Sequence, residues 1–351
     1  MPTIPADSLF SLTRALFEAI GVPNSDACVV AHSLVEANLC GHDSHGVMRV
    51  PQYLELLRKG TYKVDVPLTF LNETAAVVAA DGNWGLGQVQ AHRLLNHLLP
   101  KAKSLGVAAG TIRNCGHVGR LGEYAEVAVR EKLVLLAGAN SHGGGRRVAP
   151  PGGTEGRIST NPICMGVPTS TEAIILDFGT SSVAEGKVRA HYQKKEPVPD
   201  GWLVDHTGAP TTDPAVLYTE PRGSLLPFGG SQAYKGFGLG LLIEIWSGAL
   251  SGGVCANPDY PLTGIGNAVT FVVLDPAMFG GVDYFLNEAT RLSNYVRSCP
   301  TTTNVSSITL PGDPERATKA QRTVTGVPIP DATWDLILQT ATELQVSIPA
   351  Y

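Results

Sequence analysis

Short apolar runs alternate with amphipathic segments after residue 74, and this alternation limits the possible folds more than any other feature of the chain. Runs of four to eight apolar residues predict β-strands at 75–80, 107–112, 133–139, 173–176 and 269–274. Helical spacing of apolar residues occurs between some of them, at 88–99, 121–131, 236–250 and 282–296. The pattern therefore predicts an α/β or α+β body.

Both ends of the chain are predicted to be helical. Apolar residues recur at helical spacing over 9–20 and again over 24–41, and a third helical run begins near Pro51. Proline suits a first helical position, because its missing N–H group is not needed there. Near the other end, Asp331 can cap a further helix, which we expect to pack back on the first ones.

Composition excludes several classes of protein. A chain of 351 residues has room for about two domains. Only 16% of the residues are charged, the net charge is −5, and no block of like charges occurs, so we predict neither a nucleic-acid partner nor a membrane-surface partner. The longest apolar stretch, 236–246, is shorter than the roughly 20 residues that span a bilayer.

The cysteines and the first residues predict a cytoplasmic protein. Residues 1–10 lack the basic region and apolar run of a secretory signal. The six cysteines are scattered without CxxC spacing, which is typical of reduced thiols.

The segment 41–49 carries the densest chemistry of the chain. It contains His42, Asp43, Ser44, His45 and Arg49 between two predicted helices. Imidazole exchanges protons near neutral pH, and a guanidinium can hold a carboxylate with two hydrogen bonds. The combination predicts an enzyme that acts on a small organic acid, with His45 as the first catalytic candidate.

Two other chemistries are open to the same segment. Cys40, His42 and His45 could bind zinc together with His117, but their spacing matches no recurrent zinc pattern, so we predict no metal. Ser44 beside His45 invites comparison with serine hydrolases, yet no G-x-S-x-G elbow accompanies it.

Glycine-rich turns offer candidate phosphate sites. No G-x-G-x-x-G fingerprint of a Rossmann domain is present, since 85–90 and 236–240 each depart from it. The best candidate is 114–124, which lies between a predicted strand and a predicted helix, where backbone amides favour anions. A second loop, 141–147, also follows a strand. Asp177 ends another strand and could accept ribose hydroxyls or simply turn the chain.

Six short motifs occur in an order that carries a family resemblance. They are Asp43–Tyr53, Asn114–Tyr124, Thr160–Pro162, Leu176–Ser181 with Gly186–Lys187, Leu226–Gly230 followed by Lys235–Gly236, and Pro311–Gly312. Together they resemble the type 2 malate/L-lactate dehydrogenase family, which also holds sulfolactate and ureidoglycolate dehydrogenases, diketogulonate reductase and ketimine reductases. The resemblance extends over about residues 7–330.

This resemblance implies a non-Rossmann fold and a homodimer. It predicts a mixed-sheet domain over 74–314 that binds cofactor and substrate, with an excursion at about 184–226. A helical domain would be formed by both chain ends, 1–73 with 315–351.

The resemblance also implies an NAD- or NADP-dependent oxidoreductase that interconverts a small 2-hydroxy acid and its 2-oxo acid. His45 would exchange the proton with Ser44 beside it, and His117 is the second candidate for that role. Arg49, Tyr53 and Thr160 would bind the substrate, a small carboxylic acid. The implied cofactor contacts are His117, Gly119, Arg120, Leu121, Ser141, Asp177, Phe178, Gly179, Lys235, Pro311, Gly312 and Asp313.

One departure from the family pattern bears on the substrate. Ketimine reductases carry an acidic residue where Lys187 stands here, which favours a hydroxy acid over an imine. The alternatives are a reductase of cyclic imino acids and a non-enzymatic dinucleotide-binding sensor. Neither the acid nor the choice between NAD and NADP follows from the sequence.

Overall fold

The computed structural model describes residues 1–261 and 265–348. The helices in this part of the chain are α1 Ala6–Ala19, α2 Asn24–Leu39, α3 Val50–Arg58, α4 Gly87–Leu105, α5 Gly122–Arg130, α6 Glu185–Lys194, α7 Ala233–Glu244, α8 Val282–Arg297, α9 Asp313–Thr325 and α10 Asp331–Glu343. The strands are β1 Thr3–Ile4, β2 Thr69–Glu73, β3 Val77–Asp81, β4 Val107–Cys115, β5 Val134–Asn140, β6 Ile163–Val167, β7 Ile174–Phe178, β8 Leu203–Val204, β9 Pro210–Thr211, β10 Ser224–Leu225, β11 Asn267–Leu274 and β12 Val327–Pro328.

A seven-stranded mixed sheet forms the centre of an α/β fold, as the alternating pattern predicted. Its strand order is β2-β3-β4-β11-β5-β6-β7. β3 and β4 run parallel, and the other neighbouring pairs of this sheet are antiparallel. Each of the five apolar runs corresponds to one of these strands, so those strand predictions are confirmed.

The central strands are buried because helices cover them. α4 and α5 pack on the sheet, and a core cluster joins Leu94 and Leu98 of α4, Tyr124 of α5 and Phe271 of β11. Gly110 of β4 allows a close approach, since a Cβ atom there would lie 2.8 Å from a Leu98 methyl group. This packing places the ends of β4, β5 and β7 beside the N-terminal turn of α5.

A second core cluster combines residues from both chain ends. Leu9 and Leu16 of α1 belong to it, as do Trp334 and Ile337 of α10. The short strands β1 and β12 pair antiparallel in the same region. The division into domains stays a prediction, and residues 262–264 and 349–351 of the predicted ranges lie outside the described residues.

Several elements escaped the sequence analysis because their apolar residues show no periodicity. α6 buries Val188 alone, α9 buries no side chain, and every residue of β2 is exposed. The predicted excursion at 184–226 contains α6 and a small sheet of β8, β9 and β10, with its own core around Leu203, Leu217 and Leu225.

No helix within residues 1–261 and 265–348 combines the length and the apolar character needed to cross a lipid bilayer.

Candidate active site

Two short 3₁₀ turns between α2 and α3 carry the first half of the site. They span Asp43–His45 and Val47–Arg49. The Asn38 side chain holds them, because its Oδ1 atom accepts the backbone N–H of Val47 at 2.8 Å. Gly46 is required there, since a Cβ atom would overlap the Asn38 amide. Nε of Arg49 donates to the carbonyl of Ser44 at 2.7 Å, which ties the two turns together.

The loop between β4 and α5 carries the second half. The backbone N–H of His117 donates to the hydroxyl of Tyr62 at 2.9 Å, and that of Val118 donates to Asn267 Oδ1 at 2.9 Å. Gly87, the first residue of α4, packs so closely that a side chain there would overlap the carbonyl oxygens of Gly116 and His117. The backbone of this loop is therefore fixed from three sides.

Tertiary folding brings the two predicted histidines together. The rings of His45 and His117 stack with centroids 5.5 Å apart and an angle of 15° between their planes. Ser44 Oγ lies 3.1 Å from Nδ1 of His45, and the Tyr53 hydroxyl lies 2.5 Å from Nδ1 of His117. His117 thus joins a polar cluster with Tyr53, 64 positions away in the chain, and with Ser44 and His45.

Both imidazoles are held uncharged. Burial lowers the pKa of His45 to about 3, with the positive charge of Arg49 as the second cause. Burial and Arg49 also lower the pKa of His117 well below its ordinary value. At neutral pH the pair can therefore accept a proton or donate a neutral hydrogen bond, and it places no positive charge beside Arg49.

Arg49 retains capacity for a ligand. Its Nε donates to the Ser44 carbonyl and one Nη donates to Gln52 Oε1 at 2.8 Å. These two bonds use two of the five N–H groups of a guanidinium, which leaves donors for a carboxylate.

A cleft of about 330 Å³ contains several of the predicted cofactor residues. Arg120, Asp177 and Gly312 line it, together with Cys40 and Lys319, which the sequence analysis did not assign to the cofactor. Arg120 is 4% exposed and pairs with Glu126 at 2.6 Å. Its Nε is buried without a hydrogen-bond partner among the described residues.

Asp177 occupies the N-terminus of α5. Its Oδ2 atom accepts the backbone N–H of Gly122 at 2.7 Å, so this helix end is partly filled by the chain's own carboxylate. Burial raises the pKa of the Asp177 carboxyl group. Glu315 of the same cleft lies with its Oε1 atom 3.2 Å from His42 Nε2, which connects the segment before Asp43 to α9.

The predicted turn at 311–313 lies where β7 meets α9. The Pro311 carbonyl accepts the N–H of Ile175 at 3.1 Å, and Gly312 adopts a φ of +96°. Asp313 is bound to Arg297 and Arg316, and the hydrogen bond from Arg297 is the largest cause of its lowered pKa. The Asp313 carboxylate is therefore already committed to protein partners.

The remaining predicted residues lie on neighbouring loops. The Thr160 carbonyl accepts the N–H of Thr180 at 2.7 Å, directly after Phe178 and Gly179. Ser141 Oγ lies 2.7 Å from Ser159 Oγ. Gly119 and Leu121 are buried beside Arg120, and Phe178 makes an edge contact with the Phe228 ring.

Lys235 differs from these residues in its surroundings. It is exposed, and its ammonium lies 5.9 Å from the ring of Tyr234. No contact joins it to the histidine pair or the cleft in the described part of the chain.

Sequence reasoning missed the two residues Gln88 and Tyr62, which shape the site, and named Gly186 only as part of a motif. Gln88 donates to the Tyr53 hydroxyl at 3.2 Å, and Tyr62 holds the His117 backbone. Gly186 lets α6 approach Ser44, since a Cβ atom there would lie 2.9 Å from the Ser44 Cβ. The sequence indicates Gln88 as part of the 85–90 turn and as the start of the helical run 88–99, and neither pattern predicts its contact with Tyr53.

Within the described ranges, no group of three or more His, Cys, Asp or Glu side chains is arranged to hold a metal ion.

Comparison with known proteins identifies a family that matches almost the whole chain. The model of the malate/L-lactate dehydrogenase family matches residues 4–338. Hydroxycarboxylate dehydrogenase B of Escherichia coli (strain K12) is 35% identical over 344 residues, which cover 97% of this chain and 93% of that protein.

Two solved structures extend the comparison. Sulfolactate dehydrogenase from Methanocaldococcus jannaschii superposes with a TM-score of 0.87 at 30% identity and covers 99% of this chain and 98% of its own. The delta1-piperideine-2-carboxylate reductase from Pseudomonas syringae pvar. tomato gives a TM-score of 0.83 at 28% identity, covering 97% and 100%. With a family match over almost the whole length and relatives above 30% identity, the chain belongs to the malate/L-lactate dehydrogenase family.

Proposed function

We propose that this protein is an NAD- or NADP-dependent dehydrogenase that interconverts a small 2-hydroxy acid and its 2-oxo acid. The observation that carries the proposal is the uncharged His45–His117 pair beside Arg49. A proton-exchanging group and a carboxylate anchor on one turn are what this reaction needs from the protein.

His45 is the residue that we assign to proton exchange. In the oxidation direction, neutral imidazole accepts the proton of the substrate hydroxyl group, and in the reduction direction it returns a proton to the carbonyl oxygen. Ser44 supports either state, because a hydroxyl group can donate to or accept from Nδ1 of His45. His45 can therefore gain and lose a proton while keeping its hydrogen bond.

Arg49 orients the substrate in this mechanism. A carboxylate bound to its free N–H groups would place the substrate next to the stacked rings. The bound negative charge would also offset the positive charge that lowers the pKa of His45. Substrate binding should thus raise the pKa of His45 and increase the fraction of the ring that carries the proton needed for reduction.

We assign the dinucleotide to the cleft lined by Arg120 and Asp177. Asp177 offers carboxylate oxygens of the kind that accept ribose hydroxyls, and Arg120 presents a buried Nε–H group with no partner in the described structure. Lys319, paired with Glu36 at 2.6 Å, adds a cation at the cleft wall. When bound, the nicotinamide group would supply or accept the hydride at substrate C2.

A spectrophotometric screen tests the proposal. Reduced cofactor is monitored with both dinucleotides against malate, lactate, sulfolactate, ureidoglycolate and cyclic imino acids. We expect turnover of at least one 2-hydroxy or 2-oxo acid. Cofactor binding without turnover of any of these compounds would contradict the proposal and favour a dinucleotide sensor.

A reductase of cyclic imino acids is the second candidate. The structural similarity to delta1-piperideine-2-carboxylate reductase favours it. Gly186 at the start of α6 lies next to Ser44, and the residue after it is Lys187, whose positive charge argues against protonated imines. Turnover of piperideine-2-carboxylate with indifference to all hydroxy acids would select this alternative.

The same proposal includes a homodimer in the cytoplasm. α7 and the turn after it expose apolar side chains along one face, including Leu242 at 65% and Leu250 at 62% exposure, an arrangement typical of subunit contacts. The six cysteines are free thiols, which suits a reducing compartment. Sedimentation at working concentration tests the dimer, and a single monomeric species would refute it.

A further inference from the structure

We propose that Tyr53, oriented by Gln88, fixes His117 in the tautomer that carries its proton on Nε2. His117 then serves as a hydrogen-bond donor to the substrate oxygen and leaves proton exchange to His45. Tyr53 and Gln88 are positioning residues in this scheme. The inference rests on the proposed function for its catalytic meaning, but the tautomer itself is a property of the resting protein.

The contacts behind His117 are short and buried. The Tyr53 hydroxyl lies 2.5 Å from Nδ1 of His117, and Gln88 Nε2 lies 3.2 Å from the same hydroxyl. Tyr53 is 1% exposed and Gln88 is 0% exposed, so water does not compete for these bonds. The three side chains form a chain of two hydrogen bonds that ends at one nitrogen of the imidazole.

The direction of the bonds follows from the chemistry of the groups. A phenol has one O–H group and is a stronger hydrogen-bond donor than a neutral imidazole N–H. An unprotonated imidazole nitrogen is, in turn, a better acceptor than a phenol oxygen. The Tyr53 O–H therefore donates to Nδ1, and Nδ1 must be unprotonated. The amide N–H of Gln88 then donates to the phenol oxygen.

The state of both rings supports this assignment. Burial raises the pKa of Tyr53 to about 12, so the phenol keeps the proton that it donates. Burial and Arg49 lower the pKa of His117, so the ring is neutral and has a single N–H. With Nδ1 occupied as an acceptor, that N–H must be on Nε2.

The backbone keeps the ring in this orientation. The N–H of His117 is bound to the Tyr62 hydroxyl, and Tyr62 in turn donates to the Ile265 carbonyl at 2.6 Å. Gly87 closes the other side of the loop. His117 is thus held at both its backbone and its Nδ1 atom.

His45 differs in the partner of its Nδ1 atom. Ser44 carries a hydroxyl that can rotate between donating and accepting, and so it fixes no tautomer. The stacked pair therefore has one ring with a fixed proton and one ring with a movable proton. This asymmetry assigns proton exchange to His45 and carbonyl polarisation to His117.

Nitrogen-15 NMR of histidine-labelled protein tests the tautomer without any turnover. The chain has nine histidines, and a His117→Gln variant identifies the signals of His117. We expect a pyrrole-type signal for Nε2 and a pyridine-type signal for Nδ1 in the wild-type protein. A protonated Nδ1 in the wild type would overturn the proposal. If His117→Gln does not fold, single substitutions of the other eight histidines assign the remaining signals to His117 by elimination.

Two variants test the positioning residues, and a third is a matched control. Tyr53→Phe should let both tautomers of His117 coexist and should lower kcat about tenfold with little change in KM. Gln88→Glu puts an acceptor behind the phenol and should shift His117 toward the Nδ1–H tautomer. Tyr124→Phe also removes a buried hydroxyl, one that donates to the Val118 carbonyl at 2.6 Å, and should keep the wild-type tautomer.

The outcomes separate this inference from the proposed function. An unchanged His117 spectrum in Tyr53→Phe and Gln88→Glu would refute the role of Tyr53 even if the enzyme oxidises hydroxy acids. If the expected spectra are observed but the protein has no dehydrogenase activity, the tautomer assignment is retained and the proposed function is refuted.

Discussion

At the scale of single residues, the site depends on two imidazoles that stay neutral beside a guanidinium. Burial is the largest cause of both lowered pKa values, so the tertiary structure creates this reactivity. An exposed histidine would be about half protonated near pH 6.5 and would repel Arg49. In the proposed function, the neutral rings let Arg49 bind a carboxylate next to the group that would exchange the proton.

His45→Ala tests the proton-exchange role. We expect kcat to fall by about 10² to 10⁴, because positioned acid–base catalysis contributes that much, while cofactor affinity is retained. Steady-state kinetics and fluorescence titration with reduced cofactor measure the two quantities. His97→Ala is the control, since His97 pairs with Glu73 on the surface and should leave kcat near that of the wild type. A normal kcat in His45→Ala would transfer the role to His117.

Arg49→Lys tests the carboxylate anchor. A lysine keeps the charge but loses the planar pair of N–H groups, so KM for the acid should rise about tenfold or more while kcat changes less. Initial rates over a range of acid concentrations measure this split. An unchanged saturation curve would show that the carboxylate binds elsewhere.

The pKa of His45 predicts how stability and activity depend on pH. The unfolded chain takes up a proton at His45 near pH 6.5, whereas the folded protein does so only at about 3. The contribution of neutral His45 to the free energy of unfolding is complete above the pKa of the unfolded chain, about 6.5. It is lost progressively as the pH falls toward the folded pKa of about 3. Urea unfolding between these limits should show a weaker pH dependence in His45→Gln than in the wild type.

The same pKa bears on catalysis. kcat/KM for oxidation should stay flat across the range around pH 6.5 where a free histidine titrates, because His45 remains neutral there. A fall in kcat/KM centred near pH 6.5 would contradict the lowered pKa.

At the scale of secondary structure elements, the site is assembled where helix ends meet strand ends. The first turn of α4 supports the loop after β4, and the start of α6 supports the turn that holds Ser44. Glycine stands at both contacts, at Gly87 and Gly186, because a side chain would separate the elements. The precision of the histidine pair thus depends on residues that carry no reactive group.

Gly87→Ala tests this support. The added methyl group would overlap the carbonyl oxygens of Gly116 and His117, so the loop must shift, and we expect a loss of stability of about 1–3 kcal/mol with a lower kcat. Chemical denaturation and kinetics measure both. Gly280→Ala is the control, since a Cβ atom there would lie 3.6 Å from a Tyr284 ring carbon, an ordinary contact, and alanine should not reduce stability. Equal stability of the two variants would show that the loop tolerates displacement.

At the scale of the whole molecule, the two chain ends share one core cluster, and charged contacts connect them to the site. Arg322 of α9 binds Asp43 at 2.6 Å, and Lys319 binds Glu36 of α2. α9 therefore supports the turn that carries Asp43, from which it is separated by more than 270 residues in the chain.

Trp334→Ala tests how much the shared core contributes. Trp334 is 4% exposed within this cluster, so its truncation should cost about 3–5 kcal/mol of unfolding free energy. Leu336→Ala on the same helix is the control, because Leu336 is 47% exposed and should change stability by less than about 0.5 kcal/mol. Similar losses in both variants would contradict the packing of α10 on the N-terminal helices.

The sequence alone predicted the elements whose apolar residues recur with a clear period. The five apolar runs became strands, and the amphipathic segments such as that of α4 became helices, because local periodicity determines which face is buried. It also placed Ser44, His45 and Arg49 on one turn, because residues so close in the chain must be neighbours. The sequence did not predict the polar helices α6 and α9, because they bury almost no apolar surface.

The contacts between residues far apart in the chain were decided only by the tertiary structure. The stacking of His45 on His117, the hydrogen bond from Tyr53 and the support from Gln88 join residues far apart in the chain, and no local pattern encodes them. Burial then lowered the pKa of both rings, which depends on everything packed around them. The sequence determined which chemical groups are available, and the fold decided their protonation and their partners, because hydrogen bonds and desolvation act through space rather than along the chain.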